Sequence, residues 1–308
     1  MLLGQPAIDT LEGSRVAVFG VGGVGGYAVE ALARSGVGEL DIFDNDTVCL
    51  TNVNRQIYAL TSTIGQYKVD VAERRIKDIN PQCIVHKYRM FYLPSNADEV
   101  DLSIYDYVVD CIDTVSAKIE LAKRCYSLGT PIISCMGAAN KMDATAFKVC
   151  DIGKTKMDPL AKVMRKKMKE LGVKRLKVVY SEETPLHPFD DESANAETAE
   201  IVVESLASNN DSLTSFKTKL EQKVRRNTPA SNAFVPAAAG LIVGGEVVKD
   251  LINAAGTMRL SPEQAEQSEA AAKAKAKAEA HRQRVTMLCY ATKTWETAIK
   301  SQSPIKPS

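Results

Sequence analysis

Gly20-Val21-Gly22-Gly23-Val24-Gly25 follows a short β-branched and aromatic run, Arg15-Val16-Ala17-Val18-Phe19, and precedes a helical pattern from Tyr27 to Arg34. Glycines suit such a strand-to-helix turn because backbone N–H groups must come close to a phosphate, with the helix dipole assisting. Asp44 closes the next apolar run, 19 residues after Gly25, where a carboxylate can accept hydrogen bonds from ribose hydroxyls. Together these features point to a nucleotide. Alone, they suit an NAD-dependent oxidoreductase as well as an ATP-using enzyme.

The next residues separate the two. Asp44-Asn45-Asp46-Thr47-Val48-Cys49-Leu50-Thr51-Asn52-Val53-Asn54-Arg55-Gln56 places two acids, asparagines and an arginine just past the second strand, and Gly65-Gln66-Tyr67-Lys68 sets a lysine at the start of the following helix. The glycine turn already holds the pyrophosphate of a dinucleotide. A triphosphate needs more: Arg55 and Lys68 can hold its β- and γ-phosphates and neutralise charge as pyrophosphate departs. Asp110-Cys111-Ile112-Asp113 ends the fourth strand on the ligand-binding face, where carboxylates can hold Mg²⁺ against the phosphates. The candidate nucleotide contacts are Gly20, Gly22, Gly23, Gly25, Asp44, Asp46, Asn52, Asn54, Gln56 and Asp110. Arg55 and Lys68 join them as catalytic cations, and Asp113 is the candidate metal ligand and third catalytic group.

Alternating elements must position these residues. Strands are expected at 15–19, 40–43, 84–88, 105–110 and 131–135, with helices at 27–34, 66–79 and 116–128. Strands separated by helices predict an α/β fold with a doubly wound, mainly parallel Rossmann-type sheet. Past residue 150 the pattern changes. Asp158-Pro159 starts a helix that Leu171-Gly172 stops. Between Gly153 and Val178 lie ten Lys or Arg residues against two acids, whereas from Val178 to Ser215 there is neither Lys nor Arg. That second stretch reads as a loop or acidic insertion, at about 182–216. An apolar helix is expected over Gly240 to Ile252, and a solvated helical tail over Ser261 to Arg284.

The 308 residues carry a net charge of +1, so nucleic-acid binding requires a local basic patch. Seven scattered cysteines without a Cys-x-x-Cys pair argue for reduced thiols in a cytoplasmic setting and against structural zinc. The three histidines show no metal-ligand spacing. No secretory signal precedes the first strand. The most apolar stretch, Ala233 to Val248, contains Pro236 and Glu246 and falls short of the roughly 20 residues a membrane span needs.

Taken together, the glycine turn, the Asp-x-Asp-x-Val-x-x-Thr-Asn-x-Asn-Arg-Gln run, the Gly-x-x-Lys and the Asp-x-x-Asp resemble the adenylation domain of ubiquitin-activating enzymes and their bacterial ThiF/MoeB/HesA relatives. The resemblance covers roughly residues 2–190 and resumes at about 225–252. Within that superfamily the chain looks most like the tRNA threonylcarbamoyladenosine dehydratases. The finer match rests on Ala31-Leu32-Ala33-Arg34-Ser35-Gly36-Val37-Gly38, Val48-Cys49-Leu50-Thr51-Asn52, Gly137-Ala138-Ala139-Asn140-Lys141 and Asp158-Pro159-Leu160-Ala161-Lys162.

The resemblance implies ATP on the four glycines, ribose on Asp44, phosphates on Arg55 and Lys68, and Mg²⁺ on Asp113. It further implies adenylation of the substrate carboxylate, closure of the acyl-adenylate on a nitrogen or oxygen of the same side chain, and a homodimer. On this reading residues 1–150 form the ATP-binding part, 151–256 the tRNA-facing part of the same fold, and 257–308 a helical tail. Lys162, Arg165, Lys166, Lys169, Lys174 and Arg175 are the candidate tRNA contacts. A sulfur-transfer protein is a further possible partner. The alternatives are an adenylyltransferase activating the C-terminus of a small sulfur-carrier or ubiquitin-like protein, an NAD-dependent oxidoreductase, and a catalytically inert nucleotide-binding scaffold. The absence of Cys-x-x-Cys zinc ligands speaks against the first, and Arg55 and Lys68 against the second. Two departures stand out: Met1-Leu2-Leu3-Gly4 is not the basic arm with which family chains usually open, and Thr228-Pro229-Ala230-Ser231 has alanine where glycine is usual.

Overall fold

The computed structural model describes residues 2–186 and 230–258, together with Lys273. The chain divides into compact units at 1–257 and 258–308. In the first unit, helix α1 (Gln5–Glu12) leads into β1 (Arg15–Phe19), α2 (Gly25–Arg34) and β2 (Glu39–Phe43). Next come α3 (Lys68–Ile79), β3 (Ile84–Tyr88), β4 (Tyr107–Asp110), α4 (Val115–Leu128) and β5 (Ile132–Cys135). Strand β6 (Phe147–Asp151), α5 (Pro159–Glu170), β7 (Lys177–Ser181) and α6 (Val235–Ala254) follow among the described residues.

The seven strands form one sheet in the order β3-β2-β1-β4-β5-β7-β6. All neighbours are parallel except β6 and β7, so the expected doubly wound, mainly parallel sheet is present. Its inner strands are short apolar runs buried on both faces, as helices on either side require. Two strands and α1 were not expected. Strand β7 lies at the start of the stretch read as a loop from Val178 onward, yet Val178, Val179 and Ser181 are fully buried between β5 and β6. Five residues beside a lysine-rich helix show no alternation, because both faces of the strand are covered. The acidic insertion is described only as far as Leu186, and the tail expected at 261–284 only at Lys273.

Helix α6 packs on α2 more closely than side chains normally permit. A Cβ at Gly240 would lie 2.2 Å from the Val24 carbonyl oxygen, and one at Gly244 would lie 2.6 Å from Ala31 Cβ. The far end of α6 is held to the sheet by Asp250, which accepts from Tyr107 Oη at 2.6 Å and from Lys177 Nζ at 2.7 Å.

Beneath the carboxyl ends of the strands, α4 is tied to β4 by an ion pair with no solvent exposure. Lys118 Nζ is 3.0 Å from Asp110 Oδ1 and donates to the Ile112 carbonyl at 2.9 Å. Ser134 Oγ donates to Asp110 Oδ2, and the Ile112 N–H reaches Asp110 Oδ1 at 3.2 Å. This corrects the expectation that Asp110 contacts the nucleotide. Its oxygens are spent inside the protein, where they shape the 111–113 turn.

Substitutions at these contacts should separate tight packing from open space. Gly240→Ala should cost about 1–3 kcal/mol through forced separation of two packed backbones. Gly245→Ala, which meets nothing within 4 Å, should be neutral or add up to about 1 kcal/mol of helix propensity. Urea unfolding of both variants checks the contrast. Lys118→Met should cost about 3–5 kcal/mol by stranding the Asp110 charge, and adding Asp110→Asn should recover part of that loss.

Candidate functional site

A cleft of about 810 Å³ opens at the carboxyl ends of the strands. It sits at the switch point, where the chain leaves β1 towards β2 and leaves β4 towards β5, the usual ligand crevice of such sheets. Phe19, Phe43 and Tyr88 are the last residues of β1, β2 and β3, and their parallel register stacks the rings in a row, at 4.2 Å and 4.3 Å between centroids. Tyr92 meets Phe19 edge-on at 5.0 Å. Phe19, Phe43 and Tyr92 line the cleft as an aromatic floor. Sequence reading missed this row. Its signal was an aromatic at the same place in each run, immediately before Gly20, Asp44 and Arg89.

The glycine turn rises from this floor. Gly20 has φ +84°, and a Cβ there would come within 2.8 Å of the Cys111 carbonyl oxygen; one at Gly25 would lie 1.8 Å from the Gly20 carbonyl oxygen. Only glycine lets the turn fold back between β1 and β4. Gly20, Gly22, Gly23 and Val24 line the cleft, and the carbonyls of Gly22 and Val24 take up the N–H groups of Gly26 and Tyr27 in the first turn of α2, at 3.0 Å and 3.1 Å.

Asp44, from the end of β2, reaches across to this turn. Its Oδ2 accepts the Val21 N–H at 2.9 Å and its Oδ1 the Asp46 N–H at 2.9 Å. Burial raises its pKa above the usual carboxylate value, opposed by Lys68 and these two N–H donors. Lys68, 5% exposed, places Nζ 2.6 Å from Asp46 Oδ2 and 3.7 Å from Asp44 Oδ1. The bridge Thr47–Tyr67 aligns the start of α3 beside the 44–47 segment. Buried Glu30 joins α2 to α3 through Arg75 at 2.6 Å.

Arg55 lines the same cleft. Its stem would touch a side chain at Gly23, at 3.5 Å, and its Nη1 donates to the Thr51 carbonyl and to Asn54 Oδ1, each at 2.9 Å. Asn52 also lines it and accepts the Cys49 N–H at 3.2 Å. Gln56 is 8% exposed and, among the described residues, its buried Oε1 has no partner. Asn54 does not line the cleft; its Nδ2 donates to the Ser231 carbonyl at 3.1 Å, which makes it a support for Arg55. Asp113 is exposed on the cleft, and the Thr114 hydroxyl donates to it at 3.4 Å. Burial pushes the Cys111 thiol well above its usual range, so it offers little thiolate.

A further part of the cleft lining forms a neutral wall. Met136, Gly137, Ala138, Ala139, Leu160 and Ser231 line it, and Pro236 closes it against Gly23 of the glycine turn. Leu160 belongs to the basic helix α5, which buries Ala161, Met164 and Met168 and exposes Lys162, Lys166 and Lys169. Lys174 and Arg175 are exposed just beyond it. Arg165 turns inward instead, donating to the Thr155 carbonyl and hydroxyl at 2.7 Å, and so leaves the candidate basic surface.

At the amino ends of the strands, Glu39, Asp41 and His86 do come together, against the sequence expectation for the histidines. Arg15 lies among them, 2.9 Å from both Glu39 and Asp41, and offsets one of their two negative charges. Among the described residues no helix is long and apolar enough to cross a membrane.

Comparison with known proteins agrees with this architecture. The ThiF family matches residues 1–284. The tRNA threonylcarbamoyladenosine dehydratase of Bacillus subtilis is 45% identical over 253 residues, covering 82% of this chain and 92% of the relative. The Escherichia coli dehydratase is 37% identical over 198 residues, covering 62% and 74%. Crystal structures of the E. coli enzyme, TcdA, in complex with AMP and with ATP superpose with TM-scores of 0.66 at 30% and 29% identity. They cover 83% of this chain and 93% and 92% of theirs. With the glycine turn, the Asp-x-Asp run, Arg55, Lys68 and Asp113 arranged about one crevice, and a match along most of its length, the chain belongs to the ThiF family.

Proposed function

We propose that this protein is an ATP-dependent tRNA threonylcarbamoyladenosine dehydratase. The carrying observation is that Arg55 and Lys68, on separate segments, both line the cleft capped by the glycine turn. A nicotinamide dinucleotide has no use for either cation, whereas a departing pyrophosphate uses both. The similarity to dehydratases over 82% of the chain favours the modified base over a carrier-protein terminus as the source of the carboxylate.

ATP lies with its phosphates on the glycine turn and its ribose against Asp44, whose oxygens keep lone pairs beyond the two N–H bonds they accept. Lys68 exchanges Asp46, whose side chain is 60% exposed, for phosphate oxygen. One oxygen of the threonylcarbamoyl carboxylate attacks the α-phosphorus and pyrophosphate leaves, its charge met by Arg55 and Lys68. A nitrogen or oxygen of the same side chain then attacks the activated carbonyl and AMP leaves. The base loses one water, and no enzyme nucleophile is required. Asp113, an exposed carboxylate with no ion pair among the described residues, stands at the mouth of the 111–113 turn and fits a hard divalent cation. Mg²⁺ held there would supply charge neutralisation at the phosphates.

The neutral wall takes the threonylcarbamoyl side chain, and the exposed lysines of α5, which begin beside Leu160, track the tRNA backbone. The working unit is a homodimer. Exposed apolar Leu50, Val53, Leu60 and Ile64 supply surface that a second copy can cover.

Incubation with ATP, Mg²⁺ and tRNA carrying the uncyclised base should release AMP and reduce the base mass by one water. ATP use stimulated by a carrier protein and not by tRNA would refute the assignment. Arg55→Ala should slow turnover by about 10²–10³-fold while melting near the parent temperature, whereas Lys68→Ala should slow it as much and also melt lower, because buried Asp44 loses its counter-charge. Lys166→Glu with Lys169→Glu should raise the KM for tRNA, flatten its salt dependence, and leave the KM for ATP unchanged.

A further inference from the structure

Among the described non-glycine residues, only Asn140 and Met157 have positive φ, and at Asn140 the value is +58°. Asparagine tolerates this conformation better than most residues, but it is adopted where surroundings demand it. At Asn140 they do. Its N–H donates to the Ala230 carbonyl at 2.8 Å, and its Oδ1 accepts the Ala230 N–H at 2.7 Å. Its own carbonyl accepts the Leu186 N–H at 2.7 Å. The left-handed turn thus aims the backbone and side chain of one residue at both polar groups of Ala230, from a segment 90 residues away.

The consequence reaches the cleft. Ser231 follows Ala230, and its carbonyl accepts Asn54 Nδ2 at 3.1 Å. Asn54 turns its Oδ1 to Arg55 Nη1 at 2.9 Å. The 230–232 segment has a second tether, Asn232 Nδ2 to the Lys141 carbonyl at 2.7 Å, while Asn232 Oδ1 accepts the Val235 N–H at the start of α6. The neutral wall and the cation wall are therefore joined by a run of hydrogen bonds from Asn140 through Ala230–Ser231 and Asn54 to Arg55. We propose that Asn140 is a positioning residue for Arg55, holding Ser231 where its carbonyl fixes Asn54 and so sets the guanidinium for the triphosphate. The proposal rests on the phosphate role of Arg55 given above.

Calorimetric titration with ATP and Mg²⁺, without tRNA, tests this apart from the dehydration itself. Asn54→Ala and Asn140→Ala should each weaken ATP binding about five-fold, the weight of one neutral hydrogen bond. Asn140→Gly, which accepts the backbone angle but lacks Oδ1, should weaken it comparably. Asn140→Asp keeps both the acceptor and tolerance of the turn, and should restore near-parent affinity. The double variant Asn54→Ala with Asn140→Ala should bind no more weakly than either single, because both cut the same connection. Parent affinity in Asn140→Gly beside a weakened Asn54→Ala would overturn the connection while sparing the Arg55 assignment, as would fully multiplicative losses in the double. Parent affinity in Arg55→Ala would overturn both.

Discussion

The Asp44 carboxylate holds three parts of the cleft in one place. It takes the N–H of Val21 from the glycine turn, takes the N–H of Asp46 from the segment after β2, and faces the ammonium of Lys68 at the head of α3. Each partner arrives on a different element. The turn comes only because glycines at 20 and 25 let it fold back on itself, and Lys68 comes with α3, whose start the Thr47–Tyr67 bridge sets beside residues 44–47 and which Glu30 and Arg75 tie to α2. The burial that raises the Asp44 pKa is opposed, though not cancelled, by the same partners.

The site handles its cations with some economy. Lys68 is buried but not isolated, since Asp46 and Asp44 balance it, and Asp46 is exposed enough to yield to a phosphate. Lys118 is buried in the opposite sense, bound to Asp110 with no exposure of either side chain, and it serves the shape of the turn that carries Asp113. A lysine and an aspartate in one cleft region can thus be ligand-facing or purely internal. What differs is whether a partner can be displaced by something entering from solvent.

That distinction is what sequence could not convey. Strand ends, the glycine turn, Arg55, Lys68 and Asp113 were legible because spacing after a strand fixes which end of the sheet a residue reaches. Asp110 and Asp113, three residues apart, were both read as facing the site, one as a nucleotide contact and one as the metal ligand; the packing of Lys118 and Ser134 turns Asp110 inward. Arg165 read as one of a row of basic residues, yet its place on the half-buried side of α5 sends it to Thr155. Strand β7 was hidden because full burial on both faces removes alternation. The role of Ser231 and Asn140 was also out of reach, since it depends on contacts between segments 90 residues apart. The neutral wall, by contrast, was visible as a motif without a role: Gly137-Ala138-Ala139 carried the finer family resemblance, and the fold puts all three on the cleft.

Carboxylate attack at the α-phosphorus is the step on which the proposed roles of the glycine turn, Arg55, Lys68 and Asp113 converge. It is measured most directly with tRNA whose threonylcarbamoyl carboxylate carries heavy oxygen, the released nucleotide and pyrophosphate being analysed by mass spectrometry. One heavy oxygen should appear in AMP and none in pyrophosphate, because the carboxylate oxygen that bonds to phosphorus leaves with it when the ring closes. Unlabelled AMP, or label in pyrophosphate, would contradict adenylation of the substrate in this cleft.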